Sequence, residues 1–180
     1  MGEGAWMREK TILVKPSLEY KRDAINFMDE CLELDDVVHG GGGIDICSTY
    51  EKWLVFLAQK SKKETLPKGY VLSETWFAVP EGDDKILGIV DIRKELNEKL
   101  SWGGGNIGFS IRPHMRGEGY GVQVLNLAIE RCRELNMEKV LLTCEEENLR
   151  AARTIMSCHA MEEENAEAMA EGFRRFWIFL

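Results

Sequence analysis

The sequence predicts a single α/β domain whose central sheet is mixed and mostly antiparallel, with helices on its flanks. A chain of 180 residues with 44% apolar side chains buries roughly 70% of its unfolded surface, which suits one core. Two apolar strands, residues 74–79 and 86–92, flank a polar turn of hairpin length. A later helical segment lies between two further strands, the pattern of a crossover between parallel neighbours. We therefore treat residues 1–180 as one domain.

The first elements of the chain are a strand and a helix. Residues 11–15 form the predicted strand, which Pro16 closes, and Ser17 with the acidic Glu19 is typical of a helix start. Apolar residues then recur at spacings of three and four, which predicts one buried helical face made of Ala24, Phe27, Met28, Cys31 and Leu32.

The segment 35–46 separates this helix from the next. It contains four consecutive glycines, Gly40 to Gly43, whose backbone entropy disfavours regular structure. We expect a mobile loop there, either a disordered connection or a cover for part of a site. A second short helix follows over residues 50–58, with Trp53, Leu54 and Leu57 on one face.

The part of the chain after the hairpin alternates strands and helices. A third strand ends at Pro113, and Asn136 ends the helix that follows it. The buried face of that helix is predicted to carry Val122, Leu125, Ala128, Ile129 and Cys132. The remaining elements are strands over residues 106–112, 139–144 and 174–179 and a short helix over residues 149–157. Trp76, Phe77, Phe176 and Trp177 have the strand spacing of core aromatics.

Charge and composition restrict the possible partners. The formal net charge is −8 and the pI about 5.1, whereas affinity for nucleic acid comes largely from Lys and Arg that neutralise phosphates. Nucleic acid is therefore not expected as a partner, and a small amine suits the charge better. No apolar run approaches the ~20 residues that cross a bilayer, so no membrane span is expected.

Cysteine usage favours a reducing compartment. The chain has five cysteines, an odd number without close pairs, and no basic and then apolar leader opens it, so the cytoplasm is the expected location. The three histidines and the cysteines lack the spacing of metal ligands, and no metal is predicted. His114 is expected in an exposed loop, and Cys158 and His159 point too far apart along a helix to form a nucleophile and base pair.

The most informative segment is 111–122. Gly117, Gly119 and Gly121 alternate between a strand and an amphipathic helix, with Arg116 before them. Such a turn converges backbone N–H groups on one point beside the positive end of the helix dipole, which predicts a pyrophosphate site. A turn in which the glycines serve packing alone is the alternative.

Two other phosphate loops fit this segment poorly. A Walker loop needs Lys and then Ser or Thr after its last glycine, where this chain has Val122 and Gln123. A dinucleotide fingerprint needs glycine at position 122 and normally opens the first strand of its fold.

The pattern Arg-x-x-Gly-x-Gly, carried by Arg116, Gly119 and Gly121, resembles the signature of the GCN5-related N-acetyltransferases, the GNAT family. Residues 86–93 and 139–144 match the strands on either side, and Asn148 stands where the family has an Asn. Residues 88–113 are similar to a bacterial branch of predicted acetyltransferases. The resemblance implies a GNAT-type sheet, split at the cofactor cleft, and a homodimer as one possible assembly.

The resemblance also implies acetyl-CoA as the cosubstrate. The family's strand, here Phe109, Ser110 and Ile111, binds the pantetheine arm through its main chain, and Asn148 lies beside that arm. The pyrophosphate would be held by the amides of Arg116, Gly117, Glu118, Gly119, Tyr120, Gly121 and Val122.

The implied reaction is direct attack of an amine on the thioester in a ternary complex, but the usual catalytic residues do not occur at their family positions. Many relatives have a Glu where this chain has Asn106 and Ile107, and a Tyr where it has Ile155. Glu145 or Asp91 could accept a proton through water. Glu146, Glu147 and residues 162–164 are expected to be solvated surface. A module that binds CoA without turnover is the alternative function, and a nucleotide binder unrelated to CoA is the weaker one.

Overall fold

The computed structural model describes residues 10–180. In those residues the chain forms strands β1 (Thr11–Val14), β2 (Ser73–Pro80), β3 (Gly88–Arg93), β4 (Ile107–Ile111), β5 (Lys139–Glu145), β6 (Met161–Glu163) and β7 (Phe173–Phe179). The helices are α1 (Lys21–Leu32), α2 (Tyr50–Lys60), α3 (Glu98–Trp102), α4 (Tyr120–Glu134), α5 (Leu149–Met156) and α6 (Ala166–Ala170). No described helix has the length and apolar content of a membrane span.

The strands form two antiparallel sheets rather than one continuous sheet. The first has the order β1-β2-β3-β4 and the second the order β5-β7-β6. The predicted hairpin is present, with Thr75 of β2 opposite Asp91 of β3. The crossover through α4 brings β5 beside β4, but these two strands separate instead of pairing along their length. The predicted α/β class, with a mostly antiparallel sheet that is split, is confirmed.

Helices α4 and α5 cover one face of both sheets. Val124, Leu125 and Ala128 of α4 are fully buried against the strands, and Ile155 of α5 joins the same core. Burial of each such aliphatic side chain contributes about 1.5–3 kcal/mol. The predicted face of α4 is confirmed, except that Val122 is half-buried at the start of the helix.

Helices α1 and α2 cover the other face of the first sheet. Phe27 and Trp53 pack there with Phe77 and Ile89. The predicted buried face of α1 is correct at Ala24, Phe27 and Cys31, but Leu32 is 74% exposed. The helix ends at Leu32, so the chain turns away from the core before that side chain can reach it.

The predicted aromatic core is confirmed in part. Phe77 and Phe176 are fully buried, whereas Trp76 and Trp177 are half-buried. Lys15 Nζ lies 3.5 Å from the centroid of the Trp76 ring, and Lys139 Nζ lies 4.5 Å from that of Trp177. Both indoles therefore form cation–π contacts at the rim of the core.

The glycine run between α1 and α2 is packed, and the prediction of a mobile loop there is wrong. Trp53 Nε1 donates to Gly41 O at 2.9 Å. Gly40 has φ +72°, and a Cβ there would lie 2.0 Å from Gly108 O of β4. The absence of side chains thus allows this segment to lie directly on the backbone of β4.

Three short elements were not predicted: α3, β6 and α6. Strand β6 occupies part of the acidic run at residues 162–164, which was expected to be solvated. Arg174 pairs with Glu162 and Arg175 with Glu163, each at 2.7 Å. Trp177 Nε1 also donates to Glu163 at 2.9 Å. These cross-strand contacts hold part of the acidic run against β7.

Candidate active site

Asn106 joins the two sheets at the point where they separate. Its carbonyl accepts from Arg93 N at 2.7 Å, and its side-chain Nδ2 donates to Arg93 O at 3.0 Å. On the other side its N–H donates to Leu141 O at 2.7 Å, and its Oδ1 accepts from Leu141 N at 2.8 Å. Asn106 Nδ2 therefore takes the place of the Asn106 backbone N–H in the ladder with β3. That N–H is then free to bond to β5. A carboxylate in place of this side-chain amide could not donate the bond to Arg93 O.

Beyond Asn106 the backbone of β4 faces an open gap. Arg93 N bonds to Asn106 O, and Arg112 N bonds to Leu87 O at 2.8 Å. Since alternate residues of an antiparallel strand bond to the same neighbour, the register leaves the N–H and C=O groups of Phe109 and Ile111 pointing away from β3. These groups form the β4 side of a cleft between the two sheets.

Strand β5 forms the other side of the cleft. Glu146 N bonds to Gly172 O, and Leu180 N bonds to Glu138 O, which assigns the even-numbered residues of β5 to the ladder with β7. The backbone groups of Thr143 and Glu145 therefore face β4. Among residues 10–180, the only backbone-to-backbone hydrogen bond that connects these two edges is the one from Asn106 N to Leu141 O.

The glycine loop ends the cleft at the start of α4. Gly117 has φ +86°, and Gly119, the N-cap of α4, has φ +83°. No side chain caps the helix and no acidic residue lies in its first turn, so the first amides of α4 remain available to an anion. Gly121 has a different role: its Cβ would lie 3.2 Å from Thr154 Cγ2 of α5, so it permits close packing of two helices.

The side chain of Arg116 supports the loop from behind. Its Nε donates to Ile111 O at 2.8 Å, and its guanidinium forms an ion pair with Asp36. Through these two contacts the side chain connects β4 with the segment after α1. Glu118 is exposed on the loop, and so is the neighbouring His114, as predicted.

Arg112 anchors the end of β4 to α1. Its side chain is 3% exposed and bonds to Asp23 at 2.9 Å, to Glu30 at 3.0 Å and to Ile86 O at 2.9 Å. Burial alone would raise the pKa of Asp23, but the hydrogen bonds from Arg112 and the Ile86 amide leave that pKa below its usual value. The end of β4 that leads into the glycine loop is thereby fixed.

Asn148 begins α5 beside the end of β5. Its N–H donates to Glu145 O at 3.0 Å, and its Oδ1 accepts from Ala151 N at 3.0 Å as the N-cap of the helix. This cap fixes the chain where β5 turns into α5. Ser110 is buried on β4, on the face opposite to Ile111.

Asp91 is buried with one hydroxyl donor and two cations around its carboxylate. The carboxylate is 2% exposed and accepts from Thr75 Oγ1 at 2.7 Å. Arg93 lies at 3.1 Å and Lys60 at 3.6 Å. Burial lowers the pKa of Lys60, although the charge of Asp91 opposes that shift. Arg93 also donates to Gly104 O at 2.7 Å, which fixes the chain before Asn106.

The remaining candidates divide between surface and core. Glu146 and Glu147 are exposed, as predicted, and Glu145 is exposed as well. Ile155, for which the resemblance implies a Tyr in relatives, is 1% exposed within the core. Cys158 is buried while His159 is exposed. The part of the chain that the structure describes contains no group of three or more His, Cys, Asp or Glu suited to a metal.

Comparison with known proteins gives one family. The profile of the acetyltransferase (GNAT) family matches residues 45–159, which include the glycine loop and both strands of the cleft. No curated protein sequence matches the chain significantly.

Solved structures share the fold at low sequence identity. The spermidine/spermine N-acetyltransferase SpeG from Vibrio cholerae, solved in mutant forms, is 15% identical, with a TM-score of 0.63 and 94% of each chain covered. A Salmonella typhimurium acetyltransferase that modifies the N-terminal serine of a 50S ribosomal subunit protein is 12% identical, with a TM-score of 0.62 and 95% of each chain covered. The microcin C7 self-immunity acetyltransferase MccE, in complex with acetyl-CoA and AMP, is 14% identical, with a TM-score of 0.63 and coverage of 95% of this chain and 93% of that one.

Proposed function

Because the chain belongs to the GNAT acetyltransferase family, we propose that it transfers an acetyl group from acetyl-CoA to an amine by direct attack in a ternary complex. The observation that carries this proposal is the cleft between β4 and β5. At this cleft the edge of β4 has open backbone groups at Phe109. The chain then leads to the start of α4, where the glycines have left-handed backbone angles. An amide-bearing arm can bond to such an edge as an added strand does, while a pyrophosphate meets the helix amides.

The residues proposed to hold acetyl-CoA follow from this arrangement. The main chain of Phe109 and Ile111 binds the pantetheine arm, with Ser110 between them on the buried face. The backbone amides between Arg116 and Val122 bind the pyrophosphate, where Gly117 and Gly119 provide the turn. Asn148 caps α5 and so fixes the chain at the end of β5, on the side of the cleft opposite β4. The Arg116 side chain acts indirectly, since it already bonds to Ile111 O.

The chemistry places three demands on the chain's own residues. Acetyl-CoA supplies the activated acyl group as a thioester. The cleft must align the amine with the thioester carbonyl, and a backbone N–H of β4 near Phe109 must stabilise the oxygen that becomes negative. A base must also receive the proton that the amine loses.

Glu145 is the better placed of the two candidate bases. It ends β5, its backbone faces the cleft and its side chain is exposed. Asp91 is buried and engaged with Thr75, Arg93 and Lys60, so an uncompensated pair of cations would remain if it took up a proton. We therefore propose that Glu145 receives the amine's proton through water and that Asp91 is a positioning residue.

Release of CoA thiol tests the proposal. The purified protein is incubated with acetyl-CoA and a panel of primary amines, and free thiol is measured over time. Release that depends on the amine supports acetyl transfer. Acetyl-CoA binding without release under any amine contradicts transfer and favours a CoA-binding sensor, while competition by ATP or NAD in place of CoA contradicts the cleft assignment.

A further inference from the structure

Helices α3 and α6, which the sequence pattern did not reveal, cover the face of the second sheet that points away from α4. The side chains of Thr143 and its partner Arg175 point away from the core under α4, because the alternate residues of β5 and β7 fill that core. The segment around α3 lies across this face: Gly104 N donates to Thr143 Oγ1 at 2.6 Å, and the Arg175 guanidinium bonds to Ser101 O.

A cavity of about 590 Å³ lies between α3, α6 and the start of β7. The residues that line it include Lys99, Trp102, Gly103, Glu167, Glu171 and Phe173. Gly103 packs on the Phe173 ring, since its Cβ would lie 3.1–3.4 Å from three ring carbons. The cavity has the size of a site for a small organic molecule.

The cavity adjoins the end of the cleft. Phe173 on its wall is the register partner of Glu145, whose backbone faces β4. Gly103 on the same wall precedes Gly104, whose N–H donates to the Thr143 hydroxyl on the face of the second sheet that points away from α4. The wall of the cavity therefore lies beside the end of β5 that carries Glu145, the carboxylate to which we assign the acceptor's proton.

The lining favours a positively charged ligand. The lining contains two acidic residues, Glu167 and Glu171, one basic residue, Lys99, and the aromatic residues Trp102 and Phe173. Carboxylates attract an ammonium group, and aromatic faces add cation–π attraction while they bury methylene groups. The nitrogen that attacks a thioester must be uncharged. The ammonium group that the cavity recognises must therefore be a second nitrogen of the same acceptor.

We propose that this cavity binds the distal ammonium of an aliphatic diamine whose other nitrogen is acetylated. The inference rests on the proposed acetyl transfer. The uncharged nitrogen attacks the thioester carbonyl carbon, a C–N bond forms and the C–S bond breaks. The nitrogen's proton goes to Glu145 through water, and CoA leaves as the thiolate and is protonated by solvent. The products are the monoacetylated diamine and CoA.

Two amines of matched length test the proposal. The value of kcat/KM is measured by thiol release with 1,5-diaminopentane and with pentylamine, which lacks the second charge. We expect the diamine to be favoured at least 10-fold, and the double variant Glu167→Gln/Glu171→Gln to remove that preference with little change for pentylamine. The variant Glu164→Gln is the control and should keep the preference. Glu164 is an exposed carboxylate shortly before α6 and does not line the cavity.

The outcomes separate this inference from the proposed function. Acetylation of both amines with equal kcat/KM, or a preference that survives the double variant, overturns the cavity assignment alone. Failure of acetyl-CoA to bind, measured by calorimetry, overturns the proposed function as well. Calorimetric titration with 1,5-diaminopentane in the absence of acetyl-CoA gives an independent readout, and binding that is equal in the wild type and the double variant also contradicts the cavity assignment.

Discussion

Asn106 and Leu141 form a two-bond joint between the two sheets: the Asn106 N–H donates to Leu141 O at 2.7 Å, and Asn106 Oδ1 accepts from Leu141 N at 2.8 Å. The same Asn106 bonds twice to Arg93 of β3. Past this residue the strands separate, so the joint sets where the cleft begins. It also gives a structural reason for Asn at this position.

Replacement of Asn106 should open this joint. In Asn106→Ala, the buried Leu141 N–H and Arg93 C=O each lose a hydrogen-bond partner. We expect the free energy of unfolding, measured by urea denaturation, to fall by about 2–4 kcal/mol. We also expect weaker acetyl-CoA binding. Asn165→Ala is the control, because Asn165 caps α6 and makes no contact with the joint; it should cost about 1 kcal/mol and leave acetyl-CoA affinity unchanged. Equal effects of the two variants would count against the joint.

A matched pair of glycine substitutions tests the loop. Gly117 and Gly82 have nearly the same backbone angle, φ +86° and +88°, and nothing lies within 4 Å of a Cβ at either position. Gly117→Val and Gly82→Val should therefore cost similar stability through backbone strain. Only Gly117→Val should weaken acetyl-CoA binding, by at least 10-fold in calorimetric titration. Retained affinity in Gly117→Val would remove the glycine loop from the binding site.

Substitution of the two carboxylates should affect different properties. Glu145→Gln is expected to lower kcat by about 10- to 100-fold and flatten its pH profile, with acetyl-CoA affinity and unfolding free energy unchanged. Glu147→Gln, two residues along and also exposed, is the control. Asp91→Asn should instead lower the free energy of unfolding by about 3 kcal/mol, because Lys60 and Arg93 lose a buried counter-charge. A fall in kcat for Asp91→Asn without loss of stability would reverse the two assignments.

Buried thiols should make the protein sensitive to alkali. Burial raises the pKa of Cys158 to about 11 and that of Cys132 to about 12, from 9.0 in an open chain. The unfolded chain therefore releases these protons first, and stability that is fully present below pH 9 falls as pH rises toward 11 and 12.

The magnitude of that effect can be measured by replacement of the thiols. Each thiol contributes at most about 1.4 kcal/mol per pH unit in its window. Urea unfolding at pH 8 and pH 10.5 should show a smaller pH-dependent loss for Cys158→Ala and Cys132→Ala than for the wild type. The same loss in all three proteins would show that other groups determine the alkaline sensitivity.

The fold was predictable where one element carries its own pattern. Strands β2 and β3 are short apolar runs on either side of a polar turn, helix α4 has a clear period of 3.6, and the structure confirms all three elements. Helices α3 and α6 have five residues each and β6 has three, too few to establish a period. Their positions depend on contacts distant in sequence, such as the bond to Thr143 from Gly104, two residues after α3.

The candidate site was predictable only in its local part. The left-handed glycines lie within one short segment, so the sequence shows them directly. The packing of Gly40 on Gly108 depends on a contact 68 residues away along the chain, and composition alone suggested a mobile loop instead. The lone charge in the apolar run of β3, Asp91, was a usable signal, since a buried carboxylate requires partners; their identities, Lys60 and Arg93, required the tertiary structure.

The most direct test of the acetyl-CoA cleft is a titration of the ¹⁵N-labelled protein with acetyl-CoA, followed amide by amide by NMR. The account predicts that the largest shifts fall on the amides of Phe109 and Ile111 and of residues 117–122, with small shifts on β1 and β6. The Phe109 amide, which faces the cleft, should also become protected from hydrogen exchange. Binding with shifts confined to other strands, or no binding at all, would contradict the central claim that the separation of β4 from β5 holds acetyl-CoA.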